Sequence, residues 1–172
     1  MVNKRLPLFK MNKNNKSYTV NEALKRMENY CAYQERCHKE IEAKLFEMNL
    51  IDIAKEEIIL HLLKHDFLNE ERFAQAYARG KFNIKKWGKQ RIVRELKFRK
   101  VSDYSIKSAL NEIDIDDYLI TFNTLAEKKH QNIKESNPYK KSKKLTDYLL
   151  YRGWETDLVY KKVKELMQKD KN

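Results

Sequence analysis

The chain has 172 residues, of which 41% are hydrophobic and 36% charged, with only three Gly and two Pro. So few turn formers argue against a strand-rich fold, no apolar run approaches the roughly 20 residues of a membrane span, and the length suits one domain or an array of small units sharing a core. The net charge of +12 points to a polyanion, or a protein covered by one, as partner.

The charge is unevenly placed. Residues 1–17 carry five cations and no acid, 18–65 seven cations against nine acids, 66–114 twelve against seven, and 115–172 thirteen against nine. The first segment reads as a basic flexible tail, and it lacks the apolar core of a signal peptide. Two cysteines, Cys31 and Cys37, lie six apart. With no span and no leader, free thiols in a reducing cytoplasm are the expectation.

After the tail, Thr19–Val20–Asn21–Glu22 has the pattern of a capping box and opens a helix through Ala23, Met27 and Tyr30. Then "EIEAKLFEMNLIDIAKEEIILHL" (40–62) aligns with "RIVRELKFRKVSDYSIKSALNEI" (91–113) and "KLTDYLLYRGWETDLVYKKVKEL" (144–166), at shifts of 51 and 53 residues. Ile41, Ile92 and Leu145 coincide, as do Leu45, Leu96 and Leu149, and Leu50, Val101 and Trp154. Each copy reads as helix, turn, helix, with apolar residues at i and i+4 facing inward. Asn49, Lys100 and Gly153 occupy the turn, where a left-handed backbone closes a helix; Lys100 is the poorest of the three and is expected to be mildly strained there.

A further helix precedes each of the later pairs as well. Asn69 caps "EERFAQAYARGKF", with Phe73, Ala76, Tyr77 and Gly80 on one side, and "DIDDYLITFNTLAEKKHQNI" turns Phe122, Leu125 and Ala126 inward. Ser102, Asp52, Asp116 and Asp117 read as caps. The expected fold class is all-α: three tandem three-helix repeats, 18–65, 66–114 and 115–170, whose stacking completes a shared core in an elongated, curved array. The same helices in one compact bundle are the alternative. The stretch "HQNIKESNPYKKSKK" (130–144), broken at Pro138, is read as a solvated connection or a mobile basic finger.

Candidate binding residues concentrate in two patches. On a wheel at 100° per residue, Phe98 falls between Arg91 and Arg94, away from the stripe of Ile92 and Leu96. An exposed ring among arginines stacks on a base or anchors a protein contact; the other reading packs it on a neighbouring repeat. The repeat alignment puts Tyr151 at the same position in the third unit and Glu47 in the first. Upstream, Lys85, Lys86 and Lys89 surround Gly88, and free amides at that helix start would suit an anion such as phosphate. Lys140, Lys141, Lys143 and Lys144 form the second patch.

An operator-reading helix–turn–helix fits poorly. The helix after the second turn, "SDYSIKSALNEI", has one Lys, no Arg and an early Asp. Catalysis is not expected either. No nucleophile turn or phosphate loop occurs, and Cys31, Cys37, His38, His61 and His65 lack the short spacing of a structural zinc site. No cofactor or metal is expected.

The run 65–113 resembles the RecX family of bacterial recombinase regulators. The family's middle unit opens a helix with the pattern here formed by Leu68, Asn69, Glu70, Glu71, Arg72, Phe73 and Ala74, then places a glycine, here Gly88, before a basic helix, here Arg91 to Leu96. Residues 23–45 and 144–163 match more loosely, and the family usually has glycine where this chain has Asp66 and Lys100. The resemblance implies a small cytoplasmic protein, not an enzyme, that lies along the groove of a RecA-type recombinase filament on DNA. It would inhibit strand exchange, ATPase and coprotease activities. Weak binding to single- or double-stranded DNA, no membrane and a monomeric state complete the expectation. The alternative is a charge-driven, sequence-nonspecific DNA-binding helical module.

Overall fold

A computed structural model describes residues 18–170; the basic tail of residues 1–17 lies outside them. The described residues form nine α-helices and no strand: α1 (Val20–Tyr33), α2 (His38–Phe46), α3 (Asp52–Lys64), α4 (Glu70–Lys85), α5 (Lys89–Phe98), α6 (Asp103–Asn111), α7 (Ile115–Asn132), α8 (Pro138–Tyr151) and α9 (Thr156–Lys169). They make three tandem three-helix repeats. Within the middle repeat α4 and α6 run side by side in the same sense. Glu70, at the start of α4, meets Ser102 and Ser105, while Arg79 further along reaches Glu112 just past the end of α6.

Local chemistry starts and stops these helices. Thr19 completes the capping box with Glu22, Asn69 accepts from the Arg72 amide at 3.0 Å, and Ser102 caps α6. Asn49, Lys100 and Gly153 all have positive φ (54°, 60° and 81°), so the three aligned turns share one backbone solution. The residue after Lys100 and the one after Gly153 donate back to Leu96 O and Leu149 O, closing each helix end. Asp66 (56°) and Lys86 (53°) adopt the same conformation after α3 and α4.

Several expectations are corrected. Asp52 is the first residue of α3 and pairs with Lys55, while Ile51 stands at the cap position. Asp114, not Asp116 or Asp117, caps α7; it accepts from the amides of both. Pro138 begins α8 instead of breaking a loop: Asn137 caps the helix, and proline suits its first position because the missing N–H would have no helical partner there. Lys140, Lys141, Lys143 and Lys144 are therefore helical, and the connection shortens to 133–137. On α4, Phe73, Ala76, Tyr77 and Gly80 do share a side, which lines an open groove facing the first repeat, while the fully buried residues are Phe73, Ala74, Ala78 and Phe82, where α6 and α5 pack.

The shared core also divides. Ala23, Met27, Cys31, Ile41, Leu45, Met48, Ile58, Leu62 and Leu68 form a core for the first repeat. A second, larger core fuses the other two repeats around Ile92, Leu96, Phe122, Leu149 and Trp154, and of the first repeat's residues only Cys37 joins it. Trp154 is fully buried, with Tyr118 and Phe122 rings 4.6 and 5.1 Å away. Complete burial of such a side chain contributes about 3 kcal/mol.

Candidate functional site

The two joints between repeats position the candidate residues. At the second joint the start of α5 sits against the end of α8. Gly88 N donates to Arg152 O at 2.9 Å, Gln90 N to Gly153 O at 3.1 Å, and Lys89 N to the Tyr118 hydroxyl at 2.9 Å. Any Cβ on Gly88 would overlap the Gly153 carbonyl, and one on Gly153 would overlap Arg91. Two glycines face to face thus let two backbones bond directly. The α5 amides are consequently occupied by carbonyls and a phenol, so the anion site expected at this helix start is not available. The Tyr118 phenol is pushed up by burial and by the Glu155 carboxylate to which it donates at 2.8 Å, which keeps it protonated.

The first joint is built differently. Cys37 is the repeat equivalent of Gly88 and is 1% exposed, its thiol pushed up by burial. Instead of a backbone-to-backbone clasp, Arg72 Nε bridges to Glu35 at 2.6 Å, while its Nη1 holds Asp66. Both joints nevertheless share one device. Lys39 Nζ donates to Phe98 O at 3.0 Å and lies 3.9 Å from that ring's centroid. Arg91 Nη1 donates to Tyr151 O at 3.0 Å and lies with its guanidinium 4.6 Å from the Tyr151 ring. A cation from one repeat thus clamps the carbonyl and the ring of the aromatic residue closing the second helix of the next.

Burial and pairing separate the sequence-predicted residues. Phe98 is 70% exposed, and Lys39 of the first repeat reaches its ring. Arg94 is exposed and bonds no acid among the described residues, whereas Arg91 is half-buried, held 4.0 Å from the Trp87 ring as well as over Tyr151. Lys85 and Lys86 are exposed at the end of α4, and Lys89 lies 4.9 Å from the Tyr118 ring. On α8, Lys141 turns to Asp170 at 2.7 Å and Lys144 pairs with Glu135 at 2.7 Å, while Lys140 and Lys143 are exposed.

Tyr151 joins the two patches, and sequence reading left it out of the site. At 100° per residue Lys140, Lys144 and Tyr151 fall within about 40° on α8. Tyr151 also lines an open hollow with Lys129, Lys134, Lys144 and Tyr148, in which Asp147 is the one acid. The face therefore runs from Phe98 through Arg94 and Arg91 to Tyr151, and on to the lysines of the third repeat. The signal was available: Tyr151 aligns with Phe98, and both are about 70% exposed.

The seven-residue motif is structural by contrast. Leu68, Phe73 and Ala74 are buried, Asn69 caps α4, and Arg72 clasps the first joint. Glu70 accepts from Ser102 N, Ser102 Oγ and Ser105 Oγ, and Glu71 accepts from Ser108. Burial pushes the Glu70 carboxyl up, but these hydrogen bonds outweigh it and hold the group below its ordinary range. No cluster of three or more His, Cys, Asp or Glu able to hold a metal occurs among the described residues, and no helix there is long and apolar enough to cross a membrane.

Fold and face together define a tandem three-helix-repeat protein with a basic, aromatic surface across two repeats. Sequence models of the second and third three-helix domains of RecX match residues 69–110 and 116–163. The chain is 26% identical over 145 residues to the regulatory protein RecX of Clostridioides difficile, covering 83% of this chain and 66% of that one. It is 32% identical over 124 residues to the regulatory protein RecX of Clostridium perfringens strain 13, covering 71% of this chain and 58% of that one. It thus spans somewhat under two thirds of the length of these relatives. Its fold is similar to the crystal structure of RecX from Lactobacillus salivarius, with a TM-score of 0.72 and 26% identity over 86% of this chain and 96% of the other. A second crystal structure, of a regulatory protein RecX, has a TM-score of 0.75 at 23% identity and covers 85% of this chain and 73% of the other, a likeness of fold alone. The chain belongs to the RecX family.

Proposed function

We propose that this protein is a cytoplasmic, monomeric negative regulator of homologous recombination. It binds the DNA filament of a RecA-type recombinase along its groove and inhibits strand exchange, ATPase and coprotease activities. One observation carries the reading: the basic face is continuous across the second and third repeats and stays open, while the motif residues are spent on folding. A rigid fused core keeps Phe98, Arg94, Tyr151 and Lys140 in fixed register, as a partner with a repeating surface requires. The charge excess of the last two repeats suits a polyanion or a protein wrapped on one. The two free, buried thiols fit a reducing compartment.

The test is a salt series comparing naked single strands with recombinase-coated ones. The filament reading expects tighter binding to the coated strand at every salt concentration. Equal or weaker binding to the coated strand, with affinity falling steeply with salt, would leave only charge-driven DNA binding. In the same assay Arg94→Glu with Lys86→Glu should abolish inhibition of the DNA-dependent ATPase, because both side chains are exposed and make no ion pair among the described residues. Arg91 is unsuited to this test, since its guanidinium clamps Tyr151.

A further inference from the structure

We infer that Phe98 and Tyr151 are paired base-stacking platforms for single-stranded nucleic acid, set one repeat apart and each backed by a clamped cation. The inference rests on reading this face as the side turned to the filament, and it names the chemical group that the face takes: unstacked bases.

The two rings are equivalent by sequence, by exposure and by contact. They align in the repeat register and are 70% and 68% exposed. Each has its own carbonyl held at 3.0 Å by a cation of the preceding repeat, with that cation 3.9 or 4.6 Å from the ring. A large exposed aromatic at one such site is unremarkable, but the same construction at both joints fixes two rings in orientation. The cation covers part of one ring, leaving the rest open for a base, and brings positive charge within reach of the attached phosphate. Between the rings lie Arg91 and Arg94. Arg91 to Phe98 spans about 10 Å of helix axis, and Arg91 touches Tyr151, so the path from ring to ring is lined by cations throughout.

Duplex DNA cannot satisfy this arrangement, because its bases are already stacked on one another. Phosphates alone cannot either, because they give a neutral ring nothing to bind. A strand with open bases satisfies both the rings and the arginines. Protein contacts would also use exposed rings, but the +5 and +4 charge of these two repeats favours the polyanion.

The experiment uses the full chain without recombinase and three probes: a thymidine 12-mer, a 12-mer with the same phosphates but abasic sugars, and a 12-base-pair duplex. The wild type is expected to bind the thymidine strand at least tenfold more tightly than the abasic one. Phe98→Ala and Tyr151→Ala should each lower thymidine-strand affinity about tenfold, with little change for the abasic strand or the duplex and an unchanged salt slope. Phe98→Tyr and Tyr151→Phe should retain binding. Equal affinity for thymidine and abasic strands would overturn the inference. So would alanine variants that bind the thymidine strand like wild type, even if they lose coated filaments, since the rings would then be protein contacts. A loss shared equally by all three probes would also overturn it. Failure of the filament reading shows up separately, as no preference for recombinase-coated strands.

Discussion

Replacing Gly153 by alanine attacks the second joint where its geometry is tightest. The new Cβ would collide with Arg91 Cβ, N and Cα, none of which is the free end of a flexible side chain, so α5 and α8 must separate. Three inter-repeat hydrogen bonds cross this contact, from Gly88 N, Gln90 N and Arg91 Nη1. Leaving even one buried amide unpaired costs about 1–3 kcal/mol. The φ of 81° adds about 1–2 kcal/mol for a residue with a Cβ. The expected loss is about 2–5 kcal/mol, a large share of the 5–15 kcal/mol typical of a folded domain. Urea unfolding followed by tryptophan fluorescence suits the measurement, because Trp154 is fully buried at this joint. With a slope near 2 kcal/mol/M the midpoint should fall by about 2 M. Gly80→Ala is the control: beyond its chain neighbours and its own helical backbone nothing lies within 4 Å of the added Cβ, so the helix should gain up to about 1 kcal/mol. If Gly153→Ala stays within about 1 kcal/mol of wild type, the face-to-face glycine argument is wrong.

Other outcomes follow from the same structure. Lys100→Gly should raise stability by about 0.5–1 kcal/mol, since Lys100 holds φ 60°; a loss in urea unfolding would show that its side chain supports the fold. The depressed Glu70 carboxyl contributes stability that is fully present above its unfolded pKa of about 4.3 and is lost as pH falls through its lower folded value. Glu70→Gln should therefore be less stable at pH 7 and show a shallower acid decline below about pH 5 than wild type, read by unfolding at a series of pH values. Cys31 and Cys37 are 6% and 1% exposed with thiols raised by burial, so iodoacetamide at pH 8 should label neither until urea is added. Rapid labelling of Cys37 alone in native buffer would mean that the first joint opens without global unfolding.

Much of the fold was legible because helical signals are local. The capping box at Thr19, the cap at Asn69 and the left-handed turns at Asn49, Lys100 and Gly153 depend on a few adjacent residues. Pro138 shows the limit: proline reads as a breaker, yet it also starts helices, and only the Asn137 cap beside it decides. The candidate site was half legible for a related reason. Angles on one helix place Arg94 and Phe98 outward, but they cannot say that a neighbouring repeat takes the guanidinium of Arg91 or covers the amides of α5.

By itself, the sequence determined three helical trios, their register and the excess of positive charge in the last two, since each follows from periodicity, turn chemistry and composition. Tertiary structure alone decided that the first trio keeps its own core while the other two fuse. At two equivalent positions the joints differ: Gly88 lets backbone meet backbone, whereas Cys37 reaches the fused core through a buried side chain. It also decided which cations stay open. A charge is available to a partner only if no carbonyl, ring or carboxylate from another repeat reaches it first, and that depends on contacts between residues some sixty positions apart.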